Sequence, residues 1–574
     1  MTNIEIAWIF WEIADLLELK GNENFYKIRA YRKASKTIKH LTVDIAELYR
    51  QGKHKVLPGI GKTIAENIEE LLTTGKCEIH QQLKKEIPLA LREMLTIPGV
   101  GPKTISLILR ELGITTVQEL KEAAIHKKIR NLPGLGSKTE LNILRGIEML
   151  EQNQLNGIPI GIARPVAMTF LHDLLKVPGV NNGSICGNLR RAEEVIEEIN
   201  LLISTVQPDL VREILQKHPQ VKEVITSGTK KNTVLTWLGI KVTVTLVQPA
   251  NYWLVLHYLT GSTEFIKALQ VYAEKIGYCL DQYDLYDIKQ KQRILVENEE
   301  IIYDTLKLQY IPPELRENKE AIEAAVKGEL PSLIEKSDLK GDLHMHTSWS
   351  DGLNDIEEMA EAARNRGYKY IGITDHSRSL AIANGLSIER LKKQHEYINQ
   401  LNLNYEDFKI LAGVEMDILQ DARLDYPDEI LENCDVVIAS IHTGLRQEEE
   451  KIYARLEAAL KSPYVHIIAH PTGRILGRRK PYNVDFDRFF ELAKKEGKVL
   501  EINSSPDRLD LNADHVKKAV QEYDIPIAIN TDAHDIARLD DIKYGILTAR
   551  RGWLERADVI NTLELDNLRK LFRR

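Results

Sequence analysis

The sequence lacks three features that would each define a class of protein. Its four cysteines, Cys77, Cys186, Cys279 and Cys434, are scattered with no CxxC pair, which argues against a disulfide framework or a cysteine zinc site and favours a reducing compartment. No apolar run approaches the length of a membrane span. An excess of basic residues is also missing, since the formal net charge is −7, but local patches decide whether a protein binds nucleic acid.

What is present is the composition of an ordinary folded protein, with 43% hydrophobic and 28% charged residues. At about 100–200 residues per domain, the 574 residues predict three to five domains. The N-terminal residues place apolar side chains at helical spacing among Glu and Asp, which does not fit a signal peptide. We therefore expect a cytoplasmic protein without a membrane partner.

One short pattern occurs three times in the first third of the chain. It reads hydrophobic-Pro-Gly-hydrophobic-Gly, with Lys one or two residues later and then a helical stretch: Leu57-Pro58-Gly59-Ile60-Gly61-Lys62, Ile97-Pro98-Gly99-Val100-Gly101-Pro102-Lys103 and Leu132-Pro133-Gly134-Leu135-Gly136-Ser137-Lys138. Glycines permit a tight turn and a close approach of another backbone. The turn presents free N–H groups at a helix N-terminus, where a phosphate is electrostatically favoured and Lys adds charge.

This pattern resembles the helix-hairpin-helix motif of DNA repair proteins, which grips the sugar-phosphate backbone without reading the base sequence. The resemblance implies that DNA is bound by Gly59, Gly61, Lys62, Gly99, Gly101, Lys103, Gly134, Gly136 and Lys138. The alternative is a set of helix-connecting turns in which glycine serves geometry alone. Three copies, each with a trailing Lys, favour the DNA interpretation over that alternative.

From here the order of motifs resembles DNA polymerase family X, in its bacterial form with a fused C-terminal PHP domain, over nearly the whole chain. The family's Gly-Ser-x-Arg-Arg segment is matched by Gly187-Asn188-Leu189-Arg190-Arg191. Its Tyr-Phe-x-Gly-Ser turn is matched by Tyr258-Leu259-Thr260-Gly261-Ser262. The resemblance implies a nucleotidyltransferase-like palm followed by a thumb.

The three positions at which the family carries catalytic aspartates hold Glu198, Asn200 and Thr243. Two-metal nucleotidyl transfer needs carboxylates close together, and Mg²⁺ tolerates little deviation from octahedral oxygen geometry. Ile266 and Gln270 stand where the family has nucleotide contacts from Asn and Arg. We interpret this module as a DNA-binding scaffold with little or no polymerase activity.

After Lys340, strand-like segments alternate with helices, as expected of a barrel-like α/β domain. Short apolar runs end repeatedly in His or an acid, as in Asp342-Leu343-His344-Met345-His346. In a β/α barrel this pattern delivers side chains to the C-terminal mouth, where active sites are built. Converging imidazoles and carboxylates would bind several divalent ions, and mixed nitrogen and oxygen ligands suit Mn²⁺, Fe²⁺ or Zn²⁺ better than Mg²⁺.

These segments match the metal site of the PHP family, and the resemblance implies a trinuclear centre. Its ligands would be His344, His346, Asp351, His376, Glu415, His442, His470, Asp532 and His534. Mn²⁺ is the expected ion, with Zn²⁺ or Fe²⁺ as alternatives. Two further residues are expected to take part in catalysis. Arg474, in a loop with four cations after His470, would clamp a phosphate, and Asp375 would support the ligand beside it; for the loop, the alternative is a solvated surface segment.

The predicted architecture is multidomain, with α+β and α/β parts. Residues 1–85 are expected to form an all-α DNA-binding domain with a helix-hairpin-helix, 86–150 a fingers-like helical region with two more, 151–250 a degenerate palm, 251–327 a thumb-like region, 328–340 a linker, and 341–574 the PHP metallophosphoesterase domain, a distorted β/α barrel.

The functional prediction is a metal-dependent 3′–5′ exonuclease of DNA repair, with incision at abasic sites as a second activity that bacterial relatives suggest. The expected partner is gapped, nicked or 3′-ended duplex DNA and single-stranded ends in the bacterial nucleoid, with no obligate protein partner. Lyase activity is not expected, because Asn67 stands where some eukaryotic members carry a Schiff-base lysine.

Three alternatives stay open at this point. The chain could be a gap-filling DNA polymerase that works through Glu198, or a non-catalytic module that binds DNA ends and holds structural metals. It could also be a hydrolase of a small phosphoester such as histidinol phosphate, although the DNA-binding architecture upstream argues against that option.

Overall fold

The structure is a computed structural model, and it describes residues 1–572 apart from positions 2, 22–24, 40, 42–43, 58, 96, 98–99, 137–138, 141–142, 145–146, 148–156 and 237. Internal contacts divide the chain into two compact units. The first contains Met1–Ile158, Met168–Phe170 and Pro208–Thr243, and the second contains Pro159–Ala167, Leu171–Gln207 and Val244–Arg574. The finer division into six segments stays a prediction. Within the described residues, no helix is both long enough and apolar enough to cross a bilayer.

The N-terminal part of the first unit is helical. Its helices are α1 (Asn3–Lys20), α2 (Phe25–Lys39), α3 (Ile45–Arg50), α4 (Lys62–Thr74), α5 (Glu78–Glu86), α6 (Leu89–Met94), α7 (Pro102–Leu112) and α8 (Val117–Ile125). Buried apolar residues of these helices form one core, and α1 is buried around most of its circumference. Helix α1 packs on α2, where the rings of Phe10 and Tyr31 meet edge to face at 5.5 Å. Helices α4 and α7 end at glycines in the left-handed conformation, Gly75 and Gly113, because a left-handed residue lets the N–H reach back to close the last turn.

The predicted palm contributes strands and helices to both units. They are β1 (Ile158–Pro159), α9 (Ile160–Leu175), β2 (Val180–Cys186), α10 (Gly187–Arg190), β3 (Val195–Ile196), β4 (Glu198–Thr205), α11 (Pro208–Lys217), β5 (Val221–Ser227), β6 (Lys231–Thr236) and β7 (Lys241–Val247). In the second unit β2 pairs with β4 in antiparallel register, and in the first unit β5 pairs with β6 in the same sense. Buried apolar residues dominate β4, as expected of a strand covered on both faces.

The thumb forms a separate apolar cluster inside the second unit. It comprises α12 (Tyr252–Thr260), α13 (Thr263–Ile276), α14 (Glu300–Thr305), α15 (Glu320–Lys327) and the short antiparallel strands β8 (Tyr278–Leu280), β9 (Leu285–Asp287) and β10 (Gln292–Arg293). Phe265, Leu269 and Tyr303 lie at its centre and are fully buried. Helix α13 begins at Ser262, whose hydroxyl accepts the N–H of Phe265, an N-cap that fixes the start of the helix.

Seven parallel strands in chain order form the C-terminal barrel. They are β11 (Gly341–Met345), β12 (Tyr370–Ile373), β13 (Lys409–Asp417), β14 (Val436–Ser440), β15 (Ile467–Ile468), β16 (Val499–Asn503) and β17 (Ile527–Asn530). The first strand meets the end of the last, because the N–H of His346 donates to the carbonyl of Ala533 and the N–H of Asp532 donates to that of His344. The predicted distorted β/α barrel is therefore confirmed.

Helices that follow the strands cover the outside of this barrel. Those between strands are α16 (Ile356–Arg364), α17 (Ile388–Leu401), α18 (Asp428–Leu431), α19 (Glu449–Lys461), α20 (Phe486–Lys495) and α21 (Ala513–Gln521), and those after β17 are α22 (Ile542–Arg551) and α23 (Leu565–Phe572). Leu568 of α23 packs with strand residues such as Leu343 and Leu411. Polar ligands interrupt the apolar strands only near their carboxyl ends, so the packing brings those ligands together at one mouth.

Candidate metal centre and DNA-binding turns

Every one of the nine predicted metal ligands lies at or just beyond the carboxyl end of a barrel strand. His344 is in β11 and Glu415 is in β13. The others follow strands: His346 and Asp351 follow β11, His376 follows β12, His442 follows β14, His470 follows β15, and Asp532 and His534 follow β17. His470 and Asp532 have positive φ angles of 29° and 53°, a strained conformation for residues other than glycine that recurs at functional sites.

Glu415 is the centre of one group of these ligands. Its Oε1 lies 3.0 Å from His470 Nε2 and 3.4 Å from His442 Nε2. Its Oε2 lies 2.8 Å from His376 Nδ1 and 3.5 Å from the Nε2 atoms of both His344 and His346. One buried carboxylate therefore touches five imidazoles, which is the arrangement expected of a carboxylate that bridges metal ions.

Two further carboxylates complete the cluster. Asp532 Oδ1 lies 3.1 Å from His346 Nε2, and Asp351 Oδ1 lies 3.4 Å from His534 Nε2 and 3.6 Å from His376 Nε2. Among the described residues, three sets have donor atoms within 4.8 Å of one another: His346, Asp351, His376 and His534; His344, His346 and Asp532; and His376, Glu415 and His442. These sets share His346 and His376, so the candidate ligands form one continuous cluster that could hold more than one metal ion.

Three residues that contact the candidate ligands were not predicted from the sequence. Glu501 in β16 lies 2.7 Å from His344 Nδ1 and accepts the N–H of His470, and Asp417 in β13 lies 3.1 Å from His442 Nδ1. Asn503 donates to Asp532 Oδ2 at 3.0 Å. Contacts of this kind fix the tautomer and orientation of an imidazole ligand. A sequence pattern could have identified Glu501. The segment Val499-Leu500-Glu501-Ile502-Asn503 is an apolar run that carries an acid, like the other strands.

The donor atoms of the cluster are chemically suited to divalent cations. Glu415 Oε2, His346 Nδ1, His376 Nδ1 and His470 Nδ1 are buried and make no hydrogen bond to other described atoms. His376 Nδ1 lies 2.8 Å from Glu415 Oε2 without hydrogen-bond geometry, so neither atom has a hydrogen-bond partner among the described residues. Burial raises the pKa of Glu415, but the nearby imidazoles of His442, His376 and His344 hold it well below its usual value. The carboxylate is therefore ionised and ready to bind a cation.

Asp375 is fully buried beside this centre and touches no imidazole. It accepts the N–H and hydroxyl of Thr347 at 2.8 and 2.6 Å, the amide of Gln394 at 2.5 Å and the hydroxyl of Ser350. Ser350 and Thr347 belong to the segment that connects His346 to Asp351. Asp375 thus holds the ligand-bearing turn after β11 in place.

The two arginines at the mouth have different surroundings. Nη2 of Arg474 donates to Glu194 at 2.6 Å and to the carbonyl of Leu509, so this predicted phosphate clamp is engaged by the protein itself. Arg508, which the sequence analysis did not select, has Nε 3.9 Å from Asp532 Oδ2. Burial and then the positive charge of Arg508 lower the pKa of His470.

The described residues of the three glycine-containing patterns share one backbone hydrogen bond. The N–H of Ile60 donates to the carbonyl of Leu57, that of Val100 to Ile97, and that of Leu135 to Leu132. Gly59 and Gly134 have φ angles of 82° and 77°, as a type II turn with Pro before Gly requires. Gly61 and Gly101 are the N-cap residues of α4 and α7 and offer no side chain to cap them.

The lysines after these turns reach solvent. Lys62 is exposed at the start of α4, and the Lys103 side chain is 79% exposed at the start of α7. The stem of Lys33 lies over the first turn, where a Cβ at Gly59 would be 2.6 Å from Lys33 Cε. Gly136 is described at the third turn, whereas Gly99 and Lys138 lie outside the described residues. Uncapped N–H groups with an exposed cation are suited to a phosphate.

Several positions that the family resemblance assigns to metal or nucleotide contacts make hydrogen bonds or packing contacts within the protein. The Asn200 amide donates to the carbonyl of Glu198 at 3.4 Å, and Thr243 shares a 2.7 Å hydrogen bond with the hydroxyl of Thr233. Ile266 is buried in the thumb cluster, and Gln270 donates to the carbonyl of Leu280 at 3.0 Å. Asn67, at the lyase position, donates to the hydroxyl of Tyr31 at 2.6 Å.

Comparison with known families agrees with this division of the chain. The model described as "Helix-hairpin-helix domain" matches residues 1–77, and "SAM-like Helix-hairpin-helix tandem" matches 91–148. "DNA polymerase beta thumb" matches residues 255–317, and "PHP domain" matches 342–505. These matches and the barrel with its ligand cluster define the class: a DNA-binding polymerase framework joined to a PHP phosphoesterase domain.

Relatives identify the family within that class. The chain is 40% identical over 572 residues to the "DNA polymerase/3'-5' exonuclease PolX" of Bacillus subtilis, with 99% of each chain covered. A protein named "Probable phosphatase" from Thermoanaerobacter sp. strain X514 is 33% identical over 214 residues, which are 35% of this chain and 82% of that protein. A third, from Caldanaerobacter subterraneus, has the same name and is 32% identical over 216 residues, 35% of this chain and 79% of its own length. The chain belongs to the bacterial family X DNA polymerases that carry a C-terminal PHP domain.

Proposed function

We propose that the chain is a metal-dependent 3′–5′ exonuclease that trims DNA ends during repair. The observation that carries this proposal is the cluster of nine imidazole and carboxylate ligands around Glu415 in a chain with three phosphate-type turns. The relative from Bacillus subtilis is named for this activity. A site for small phosphoesters alone would leave the N-terminal turns without a role.

The residues around the centre have separable roles in this proposal. His344, His346, Asp351, His376, Glu415, His442, His470, Asp532 and His534 hold divalent ions, for which Mn²⁺ is our first choice and Zn²⁺ or Fe²⁺ the alternatives. Such ions activate water and stabilise charge on a phosphodiester. Glu501 and Asp417 orient the imidazoles of His344 and His442, and Asp375 holds the turn between His346 and Asp351.

The first experiment removes two ligands from the centre. We expect His344→Ala combined with His346→Ala to abolish degradation of a 3′-labelled primer and to lower the bound manganese, because both imidazoles contact Glu415 and Asp532. Affinity for duplex DNA should stay near the wild-type value, since the double variant does not change the three glycine-containing turns. The matched control is His126→Ala, at the C-cap of α8 in the first unit. Digestion by the double variant at the wild-type rate would show that the site assignment is wrong.

We further propose that the polymerase framework acts as a DNA-binding scaffold. Neither Asn200 nor Thr243 carries a charge, and the arginines of the matched family segment already have carboxylate partners: Arg190 pairs with Glu299, and Arg191 pairs with Glu317 at 3.0 Å. Incision at abasic sites is proposed as a second reaction of the same metal centre. The preferred DNA would be gapped, nicked or 3′-ended duplex and single-stranded ends.

A further inference from the structure

A short turn at the carboxyl end of β16 carries Arg508 to the metal centre. The N–H groups of Arg508 and Leu509 both donate to the carbonyl of Ser505, and the N–H of Asn503 donates to the carbonyl of Asp510. Asn503 also reaches Asp532 through its amide at 3.0 Å. The turn is thus connected directly to a metal ligand, and its side chains are held at the mouth of the barrel.

The guanidinium of Arg508 is in an unusual position for a cation. Its side chain is 18% exposed and, among the described residues, its one ion-pair partner is Asp532, with Nε 3.9 Å from Oδ2, too far for a hydrogen bond. Arginine offers five donors in a planar fork that matches phosphate oxygens. The guanidinium of Arg508 is partly exposed at the edge of the metal centre, and its donors make no hydrogen bond to other described residues. It is therefore available to an anionic ligand.

The centre beside Arg508 is rich in carboxylates. Among the described residues, five carboxylates contact its imidazoles: Asp351, Glu415, Asp417, Glu501 and Asp532. Divalent ions bound there would offset this negative charge. A phosphate group between such ions and Arg508 would then be attracted to both.

Arg474 forms a hydrogen bond to the same turn. Its Nη2 donates to the carbonyl of Leu509, the residue after Arg508, and to Glu194 at 2.6 Å. Nearby, a Cβ at Gly161 would lie 2.4 Å from Cβ of Pro506, so helix α9 packs directly against the turn. Two residues of the predicted palm, Glu194 and Gly161, therefore support the turn that carries Arg508.

We propose that Arg508 is the residue that binds the phosphate of the DNA substrate at the metal centre, and that Arg474 is a positioning residue that acts through the Leu509 carbonyl. This inference rests on the proposed nuclease function and adds a residue to its site. It also gives the predicted palm a structural role in the PHP reaction.

The test compares Arg508→Gln and Arg508→Lys with the wild-type protein loaded with Mn²⁺. We expect kcat/KM on a 3′-labelled single-stranded oligonucleotide to fall roughly hundredfold in Arg508→Gln, as when an oxyanion donor is removed, and less in Arg508→Lys, which keeps the charge. Binding of inorganic phosphate, measured by titration calorimetry, should weaken at least about tenfold, and bound manganese should not change. Arg364→Gln, which removes an exposed arginine paired with Asp407, is the control.

The outcomes separate this inference from the proposed function. Wild-type kcat/KM and phosphate affinity in Arg508→Gln would overturn it, and so would loss of manganese, which would show that Arg508 supports the ligands. If the wild-type protein does not degrade DNA, the proposed function fails, while the phosphate titration still decides the role of Arg508.

A double-mutant cycle tests the role of Arg474. Arg474→Gln should lower kcat/KM at least about tenfold in the wild-type background but less than about twofold in the Arg508→Gln background, because coupled residues are not additive. An equal loss in both backgrounds would mean that Arg474 contacts the substrate by itself, and would overturn the positioning role.

Discussion

At the scale of single residues, Glu299 shows how a charge that the fold buries becomes a determinant of stability. It lies between two arginines, with Arg190 Nη2 and Arg316 Nη1 both 2.5 Å from its carboxylate oxygens, and Arg316 is completely buried. Burial would raise the pKa of Glu299, but Arg316 and then Arg190 lower it to about 2. The ionised carboxylate therefore connects the palm segment to the thumb.

We expect Glu299→Gln to destabilise the thumb by about 3–5 kcal/mol, because the change leaves a buried arginine without its counter-charge. Hydrogen exchange of the amides in α12 and α14 measures this local stability. The depressed pKa means that the contribution is complete above about pH 4.5 and is lost as the pH falls toward about 2. The difference from wild type should therefore shrink in acid, and Glu323→Gln, in an exposed pair with Lys319, should show no such difference.

At the scale of elements, the three turns are expected to set DNA affinity. Replacing Lys62, Lys103 and Lys138 together with Gln should weaken duplex binding without strong sequence dependence, because interactions with phosphates carry little sequence information. The slope of log affinity against log salt should flatten by up to about one unit for each phosphate that the variant no longer neutralises. Fluorescence anisotropy at several salt concentrations measures both quantities.

The matched control for this experiment removes the same charge elsewhere. Lys217, Lys319 and Lys461 are exposed lysines that pair with Glu within their own segments. Their joint replacement should leave the salt slope at the wild-type value. An unchanged slope in the first triple variant would reduce the three patterns to helix-connecting turns.

At the scale of the whole molecule, the prediction concerns templated DNA synthesis. In a variant with His344→Ala and His346→Ala, we expect no templated extension on a gapped duplex with four nucleotides and Mg²⁺ or Mn²⁺. Losing a charged metal ligand removes several kilocalories of transition-state stabilisation, and each 1.36 kcal/mol is about tenfold in rate. Denaturing gel electrophoresis of a labelled primer measures the extension.

Two outcomes would contradict this scaffold proposal. Extension that disappears on adding Glu198→Ala would mean that Glu198 supports a working polymerase site. Extension that survives this change would assign the reaction to residues outside the three aspartate positions. In either case the metal centre of the barrel would keep its own assignment, because the variant lacks two of its ligands.

The fold class and the family could both be predicted from sequence patterns, and both predictions are confirmed by the structure and the comparisons. It could do so because strand and helix periodicity, turn glycines and strand-end ligands are local signals. The nine candidate ligands were predicted from the resemblance to the PHP family. The structure brings them together because parallel strands end at one edge of the sheet, where a His or acid after each strand meets the others. The closing of the sheet brought His344 and His346 beside Asp532.

The pairing of the side chains around the centre depends on the folded chain and could not be predicted from the sequence. Glu501 meets His344 across 157 residues of sequence, and Glu194 meets Arg474 across 280. Such pairings depend on barrel closure and on packing between segments, which no local pattern records. For this reason the sequence selected Arg474, a cation beside a ligand in the chain, whereas the folded chain places Arg508 beside a ligand in space. A side chain's neighbours in three dimensions, not its neighbours in sequence, decide what its charge can bind.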